Sequence, residues 1–200
     1  GILAADESNP TCGKRFDSIN VENTELNRRN YREMLFKSEG MEGNIGGVIL
    51  FDETLRQSSD DGRLLKEIIT EAGALPGIKV DKGLQPFKEG SEEVLTQGLD
   101  GLNERCKEYD ELGAKFTKWR AVIKIGDDMP SQECIDANMS ALAKYAKIAQ
   151  DNNMVPIVEP EVLMDGDHQA DECLKKTSEV IKKCFEELIL NKIDLSGIIL

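Results

Sequence analysis

Residues 75–83 read LPGIKVDKG, a short apolar strand that carries charges and is bounded by proline and glycine. Its isoleucine and valine suit the interior of a sheet. Successive side chains of a strand point to opposite faces, so Lys79 and Asp81 share one side while Lys82 lies on the other. The fold must therefore be one in which a buried strand has a use for ionisable groups near its C-terminal end.

The same pattern recurs along the chain: a short apolar strand, a polar loop and then a helix. Glycine or proline flanks most of the predicted strands, which lie at residues 2–5, 47–51, 77–80, 116–125, 155–158 and 197–200. Apolar residues at helical spacing predict helices between them, at residues 25–37, 60–72, 102–112, 135–146 and 174–188. Thr24 or Asn23 would cap the first of these helices. Strands that alternate with helices predict a parallel sheet covered by helices.

Two parallel-sheet architectures compete for this pattern. A doubly wound nucleotide-binding fold needs a glycine-rich phosphate turn after its first strand, but residues 6–15 read DESNPTCGKR and contain neither G-x-G-x-x-G nor a P-loop. A (β/α)8 TIM barrel fits better, although it typically needs about 250 residues. We therefore predict a single domain over residues 1–200 that supplies the first six strands of a TIM barrel belonging to a longer chain.

Composition excludes several classes of function. With 25 Lys and Arg against 38 Asp and Glu, the net charge is −13, which argues against nucleic acid or an anionic membrane as the main partner. No apolar run approaches the roughly 18 residues of a membrane span. The five cysteines are scattered and form no C-x-x-C pair, as expected of reduced thiols in a cytoplasmic protein. His168 is the only histidine, so we predict no metal centre and no other cofactor.

Four of the six predicted strands carry ionisable residues, and in three of them, at Asp6, Lys79 and Glu159, the charge lies at or near the C-terminal end. Asp6 follows the apolar run ILAA, and the i, i+2 pairs that share a strand face are Lys79 with Asp81, Lys118 with Arg120, and Glu159 with Glu161. Active sites of β/α barrels are built at the C-terminal ends of the strands. Unpaired charges there would only cost desolvation, whereas lysines beside carboxylates pair with them and shift their pKa values. The pattern predicts one collective site.

The chemistry of such a site follows from its residue types. Cations suited to phosphate are Lys79, Lys118 and Arg120 on the strands and Lys14 and Arg15 in the loop after the first strand. Carboxylates suited to acid and base catalysis are Asp6, Glu159 and Glu161. Without a metal, a carbon–carbon bond next to a carbonyl is broken when a lysine forms a Schiff base that accepts the electrons.

Several stretches resemble the class-I, Schiff-base family of fructose-1,6-bisphosphate aldolases. They are GILAADES at 1–8, ENTELNRRNYR at 22–32, IGGVILFDETL at 45–55, DDGR at 60–63, GIKVDKG at 77–83, TQGLDGLNERC at 96–106, KWRAVIKIG at 118–126, VPIVEPEVL at 155–163 and DGDH at 165–168. They run in the family's order over the whole chain. The resemblance implies a lyase of glycolysis and gluconeogenesis that reversibly cleaves fructose 1,6-bisphosphate to dihydroxyacetone phosphate and glyceraldehyde 3-phosphate, without metal.

The resemblance also implies roles for the strand-end residues. Asp6 is similar to the aspartate that assists proton transfer and holds the substrate chain, and Lys118 to the lysine that helps to form and dehydrate the carbinolamine. Glu159 is similar to the general acid and base, with Glu161 as the carboxylate beside it. Lys79 matches the lysine near the phosphate at the aldehyde end of the substrate.

Further substrate contacts are implied for Arg120, which accompanies Lys118, and for a second group made up of Ser8, Thr11 and Arg15 in the first loop and Arg28 on a helix. This loop departs from the family pattern, because Asn9, Pro10 and Thr11 stand where many members have Thr-Gly-Ser or Thr-Gly-Thr. Thr11 keeps a hydroxyl for phosphate. Pro10 fixes its own φ and removes a backbone N–H, which changes what that loop can contact.

In the family, the sixth strand continues into the Schiff-base lysine followed by Pro-Asn. The resemblance therefore implies that this lysine comes directly after Leu200, and that residues 1–200 alone are catalytically inactive. It also implies a homotetramer with a possible cytoskeletal partner such as actin. Two alternatives stay open, another Schiff-base barrel such as a transaldolase or deoxyribose-phosphate aldolase, and a non-catalytic cytoskeletal scaffold. The preference between fructose 1,6-bisphosphate and fructose 1-phosphate is also open.

Overall fold

A computed structural model describes all residues from Gly1 to Leu200. They form two compact units, each described by itself below. The first unit comprises Gly1–Lys79 and Tyr109–Thr117, and the second comprises Val80–Glu108 and Lys118–Leu200. None of the helices combines the length and apolar composition that a membrane crossing requires.

Parallel strands form the centre of the first unit. They are β1 (Ile2–Ala5), β2 (Gly47–Leu50) and β3 (Leu75–Lys79). Ala5 pairs with Leu50, and Leu50 in turn pairs with Ile78, so the C-terminal ends of the three strands lie side by side. The helices of this unit are α1 (Asn9–Asp17), α2 (Glu25–Phe36), α3 (Asp52–Arg56) and α4 (Leu65–Glu71).

The second unit contains an antiparallel hairpin, two longer strands and the longest helices. The hairpin is β4 (Leu84–Pro86) with β5 (Val94–Thr96), and the elements that follow are α5 (Leu102–Glu111), β6 (Phe116–Ile123), α6 (Gln132–Asp151), β7 (Val155–Val162) and α7 (Ala170–Leu190). The last residues of α5 and the first two of β6 belong to the first unit. The strand order of the larger sheet is β1-β2-β3-β6-β7.

Five of the six predicted strands are present, but the prediction for residues 197–200 is wrong in its extent. A 3-10 turn occupies Leu195–Gly197, and only Ile199 then pairs, in a single parallel bridge with Ile157. The N–H of Val158 donates to the Ile199 carbonyl at 2.8 Å. The hairpin of β4 and β5 escaped prediction because each of its strands has three residues, too few for a period of two to show.

The segment after β1 is a helix and not the predicted loop. Ser8 precedes α1, and Pro10 is its second residue, where the missing N–H costs nothing because the first turn has no intrahelical acceptors for its N–H groups. Pro10 therefore helps to start the helix. Thr11 and Arg15 are four residues apart, so they lie on the same side of α1.

All five predicted helices are present, although α6 is longer than predicted and α4 starts later, whereas α3 was not predicted. Thr24 caps α2 by accepting a hydrogen bond from the N–H of Asn27 at 3.1 Å. α4 begins later than the predicted residue 60, because Ser58 and Leu64 form an isolated bridge that closes a turn in front of it. Asp61 stabilises that turn by accepting hydrogen bonds from neighbouring side chains.

Close packing holds the strands that carry the charged residues. In the first unit, a methyl group added at Gly77 would come within 2.2 Å of the Phe116 ring, so the aromatic ring lies directly against the backbone of β3. In the second unit, Trp119 is fully buried and stacks on Tyr145 at 5.5 Å. Because Trp119 lies between Lys118 and Arg120, its burial turns both cations to the opposite face of β6.

A carboxylate fastens the hairpin to the start of α6 within the second unit. Glu93 accepts hydrogen bonds from the backbone N–H of Ser131 at 2.6 Å and from its hydroxyl at 2.8 Å. The amide of buried Asn138 donates to the Val94 carbonyl at 2.9 Å. The N-terminal end of this helix is thereby occupied by a side chain of the same unit.

Candidate active site

Two ion pairs connect β6 to β7 in the second unit. The ammonium of Lys118 lies 3.2 Å from the carboxylate of Glu159, and the Nε of Arg120 donates to the carboxylate of Glu161. Both strands place residues i and i+2 on the same face, so the two pairs form a ladder across neighbouring strands. The structure thus brings together four of the residues that the sequence predicted for the site.

The ladder lies in a partly desolvated setting. Burial is the main reason that the pKa of Glu159 is raised above its ordinary value, and the like charge of Glu161 adds to the effect. The cations of Lys118 and Arg120 act in the opposite direction. A raised pKa makes a carboxyl group a better proton donor and acceptor at working pH than an ordinary carboxylate, and such shifts are typical of acid–base catalysts.

Arg120 keeps its charge within this ladder. Its pKa is raised, first by the hydrogen bond to Glu161 and further by the charges of Glu159 and Asp81. The side chains of Arg120 and Glu161 are 39% and 36% exposed, against 13% for Lys118. Arg120 is therefore a cation that solvent and anionic ligands can reach, while the ammonium of Lys118 is largely shielded.

Asp6 directly follows β1 in the first unit and is 8% exposed. The backbone on both sides of it is held by Arg32 from α2, whose guanidinium donates to the carbonyl oxygens of Ala5 and Glu7 at 3.2 and 2.6 Å. Arg32 is fully buried. Lys79, at the end of β3, is half-buried.

The predicted phosphate-binding residues of the first loop lie on or beside α1. The hydroxyls of Ser8 and Thr11 are 3.0 Å apart, so one side of the helix start presents both. Arg15 pairs with Glu7 and lies 3.3 Å from the Tyr31 hydroxyl. Its side chain is 58% exposed and therefore accessible to a ligand.

Arg28 is engaged within the first unit. Its guanidinium forms a two-pronged pair with Glu53, at 2.8 and 2.7 Å, and donates to the Asn23 side chain at 2.9 Å. This pairing holds the pKa of Glu53 below its ordinary value. The predicted substrate contact of Arg28 stays a prediction, and in this structure the residue ties α2 to α3.

Three charged residues that contact predicted site residues or the backbone beside them escaped sequence reasoning: Glu7, Arg32 and Glu53. One signal was available, since the motif ENTELNRRNYR places arginines at positions 28 and 32, one turn apart on the same helix face, where buried cations require carboxylate partners. Nothing in the local pattern names those partners. No group of three or more His, Cys, Asp or Glu side chains is placed to hold a metal ion, and all five cysteines are free.

Known proteins resemble this chain over its whole length. The class-I fructose-bisphosphate aldolase family profile matches residues 1–200. The chain is 52% identical to the cytosolic fructose-bisphosphate aldolase 4 of Arabidopsis thaliana, covering 100% of this chain and 51% of that protein. It is 50% identical to a probable class 1 fructose-bisphosphate aldolase of Xanthomonas campestris pv. campestris, covering 100% of this chain and 60% of that protein.

A solved structure supports the same assignment. Fructose-bisphosphate aldolase from Plasmodium falciparum, in complex with TRAP and a small-molecule inhibitor, superposes with a TM-score of 0.97 at 47% identity, over 99% of this chain and 58% of that chain. The chain thus spans between about half and three fifths of the length of these relatives. The predicted fold class, part of a TIM barrel, is confirmed, and the chain belongs to the class-I fructose-bisphosphate aldolase family.

Proposed function

We propose that this protein reversibly cleaves fructose 1,6-bisphosphate to dihydroxyacetone phosphate and glyceraldehyde 3-phosphate through a Schiff base. The observation that carries the proposal is the Lys118–Glu159 pair, 3.2 Å apart, in which burial raises the pKa of the carboxyl group. Schiff-base chemistry needs one group that both donates and accepts protons as water leaves and returns. Glu159 meets that requirement.

The reaction assigns a task to each charged group. A lysine amine adds to the substrate ketone, and the Lys118 cation stabilises the negative charge that develops on the ketone oxygen. Glu159 then protonates the hydroxyl of the carbinolamine, which leaves as water. The resulting iminium accepts the electron pair when the carbon–carbon bond breaks. A carboxylate, Asp6 in this proposal, takes the proton of the hydroxyl that becomes the aldehyde. Glu161 keeps Arg120 in place.

The nucleophilic lysine is a separate part of the proposal. Lys118 is held by Glu159, and Lys79 is assigned to phosphate. We propose, from the family resemblance, that the nucleophile is a lysine directly after Leu200, so that residues 1–200 alone are inactive.

The test uses the full-length protein. Cleavage of fructose 1,6-bisphosphate is measured with and without a chelator, and borohydride is then used to trap the adduct with dihydroxyacetone phosphate for peptide mass mapping. We expect cleavage that the chelator leaves unchanged, and an adduct on the lysine after Leu200. Loss of cleavage in chelator would contradict the Schiff-base mechanism, and an adduct on any lysine of residues 1–200 would contradict the assignment of the nucleophile.

Phosphate recognition is proposed for two sets of residues. Lys79 and Arg120 are the strand cations, and Ser8, Thr11, Arg15 and Arg28 are the contacts carried over from the first loop and α2. Lys79→Ala should weaken binding of fructose 1,6-bisphosphate by about 1.5–3 kcal/mol, the scale of a hydrogen bond to a charged group, and weaken fructose 1-phosphate less. Lys82→Ala, which removes an exposed lysine of the same motif, is the control. If Lys79→Ala weakens the binding of both sugars equally, Lys79 does not contact the phosphate at the aldehyde end.

We further propose a cytoplasmic homotetramer. The Arabidopsis relatives are named cytosolic, and light scattering of the full-length protein measures its oligomeric state directly. No contact in either unit favours a cytoskeletal scaffold over catalysis. Actin binding therefore stays a prediction, to be checked by co-sedimentation with filaments.

A further inference from the structure

Arg32 makes a contact that none of the roles above requires. Its Nε donates to the carbonyl of Ala5 at 3.2 Å and its Nη2 donates to the carbonyl of Glu7 at 2.6 Å. These are the residues immediately before and after Asp6. One guanidinium therefore brackets the backbone of the buried carboxylate that follows β1.

The charge of this guanidinium is balanced where it lies. Arg32 is fully buried, and a buried cation is costly unless a carboxylate compensates it. The carboxylate of Glu7 lies 3.4 Å from Arg32 and also accepts a hydrogen bond from the Tyr31 hydroxyl at 3.1 Å. Arg15 pairs with the same carboxylate, so Glu7 itself is held by three neighbours.

Only arginine suits this position. A guanidinium presents donors in a rigid planar fork, whereas a lysine ammonium is a single point on a flexible stem. Lysine would keep the positive charge beside Glu7, but it would not hold two carbonyls that flank a third residue in a fixed geometry. Arg32→Lys therefore removes the hydrogen bonds to the two flanking carbonyls while it keeps the positive charge.

We infer that Arg32 is a positioning residue that fixes the direction of the Asp6 carboxylate by clamping the peptide groups on either side of it. The inference rests on the proposed function, in which Asp6 takes part in proton transfer. A displacement of about 1 Å in a reacting group can cost about 10²-fold in rate. Arg32 acts through the backbone of Asp6 and does not touch substrate.

The experiment compares two arginines of the same helix in the full-length protein. Arg32→Lys should lower kcat for fructose 1,6-bisphosphate by about 10²-fold while KM changes little. Arg29→Lys is the matched control, because Arg29 also lies in α2 but bonds to Asp60 and to the Ser58 carbonyl, away from Asp6. Its kcat should stay within about twofold of wild type.

A double substitution separates positioning from a purely structural role. Residues that act as a unit are not additive. Once Asp6→Asn has removed the carboxylate, adding Arg32→Lys should lower kcat by less than about threefold further. Multiplication of the two losses would overturn the inference, because Arg32 would then act independently of Asp6.

Two further readouts cover the remaining outcomes. Hydrogen exchange of the peptide that carries Asp6 should rise in Arg32→Lys whether or not the protein cleaves the sugar, so an inactive wild type with this rise would overturn the proposed function and support the bracket. Unchanged exchange would overturn the bracket.

If Arg32→Lys does not fold, the double variant Glu7→Gln with Arg32→Gln replaces it, since it removes both charges together. Failure of that double variant to fold would assign Arg32 to stability alone and overturn the inference.

Discussion

The ladder carboxylates of the second unit and Asp6 of the first unit have different neighbours. In the second unit, Glu159 and Glu161 face cations on the neighbouring strand, side chain to side chain. In the first unit, Asp6 is held through its backbone by an arginine that comes from a helix. A ladder between strands tunes the protonation of its members, whereas a backbone bracket sets where a carboxylate points.

This difference has an electrostatic counterpart. Burial raises the pKa of Glu159 despite the nearby Lys118, while the two-pronged contact with Arg28 lowers the pKa of Glu53 despite its partial burial. The first unit therefore uses its ion pairs to keep charges fixed. The second unit instead contains a carboxyl group whose pKa is raised above its ordinary value, the direction that favours acid–base catalysis.

Removing the tunable carboxyl group should have the largest effect. Glu159→Gln in the full-length protein should lower kcat by about 10²–10⁴-fold, because the amide cannot transfer the proton, while substrate binding changes much less. Steady-state kinetics provide the measurement. Turnover at the wild-type level would show that Glu159 is not the proton-transfer group. The raised pKa of this residue would then have no role in catalysis.

Disrupting the Arg28–Glu53 ion pair should lower the stability of the protein. Arg28→Lys keeps the charge but loses the two-pronged geometry with Glu53, and we expect a loss of about 1.5–3 kcal/mol in the free energy of unfolding. Urea denaturation of the full-length protein measures it. A variant as stable as wild type, but with weaker sugar binding, would instead favour the predicted substrate contact of Arg28.

The two carboxyl groups should also give opposite pH dependences of stability. Glu53 has a lowered pKa, so its contribution is present above its ordinary value of 4.5 and is lost as the pH falls through the lowered value. Glu159 has a raised pKa, so its contribution is full below its ordinary value of 4.5 and is lost as the pH rises through the raised value.

These signs are measurable by substitution. Relative to wild type, Glu159→Gln should gain stability as the pH rises from about 4 to 8, and Glu53→Gln should gain stability as the pH falls below about 4. Urea denaturation at each pH gives both differences. Slopes of the same sign for the two variants would remove the electrostatic contrast between the units.

The smallest effect is expected for an exposed ion pair that neither fixes a buried charge nor lies beside a carboxyl group with a shifted pKa. Lys147 and Asp151 form an exposed i, i+4 pair on α6, and Lys147→Ala should change the free energy of unfolding by no more than about 0.5 kcal/mol. A larger loss in the same denaturation experiment would show that an exposed ion pair stabilises the protein as strongly as a buried one. Burial would then not be needed to explain the effect of the Arg28–Glu53 pair.

The ladder was predictable from sequence because a period of two operates within each strand. Lys118 with Arg120 and Glu159 with Glu161 share a face by spacing alone, and parallel neighbours then bring the faces together. The partners of Arg28 and Arg32 were not predictable in this way. Glu53 is 25 residues from Arg28 along the chain, so their meeting depends on how helices pack on the sheet, which no local pattern encodes.

The helix that follows β1 shows a second limit. From the sequence, Pro10 predicts an altered loop, because proline removes a backbone hydrogen-bond donor. Its effect depends on position, since at the second residue of α1 the missing donor has no partner to lose. Residues 9–17 contain proline and glycine and little apolar periodicity, so their helical state is set by the packing of Cys12 and Phe16 in the core.

The position of the Glu93 carboxylate at the start of α6 affects whether this helix can bind an anion from solution. The N-terminal end of a helix of 20 residues is a general receptor for phosphate, sulfate or carboxylate. Glu93 lies at this end and accepts hydrogen bonds from the N–H and the hydroxyl of Ser131, the residue that precedes the helix, and as part of the same chain it is present at a high effective concentration. An anion in solution would therefore have to displace Glu93 before it could bind at the start of α6.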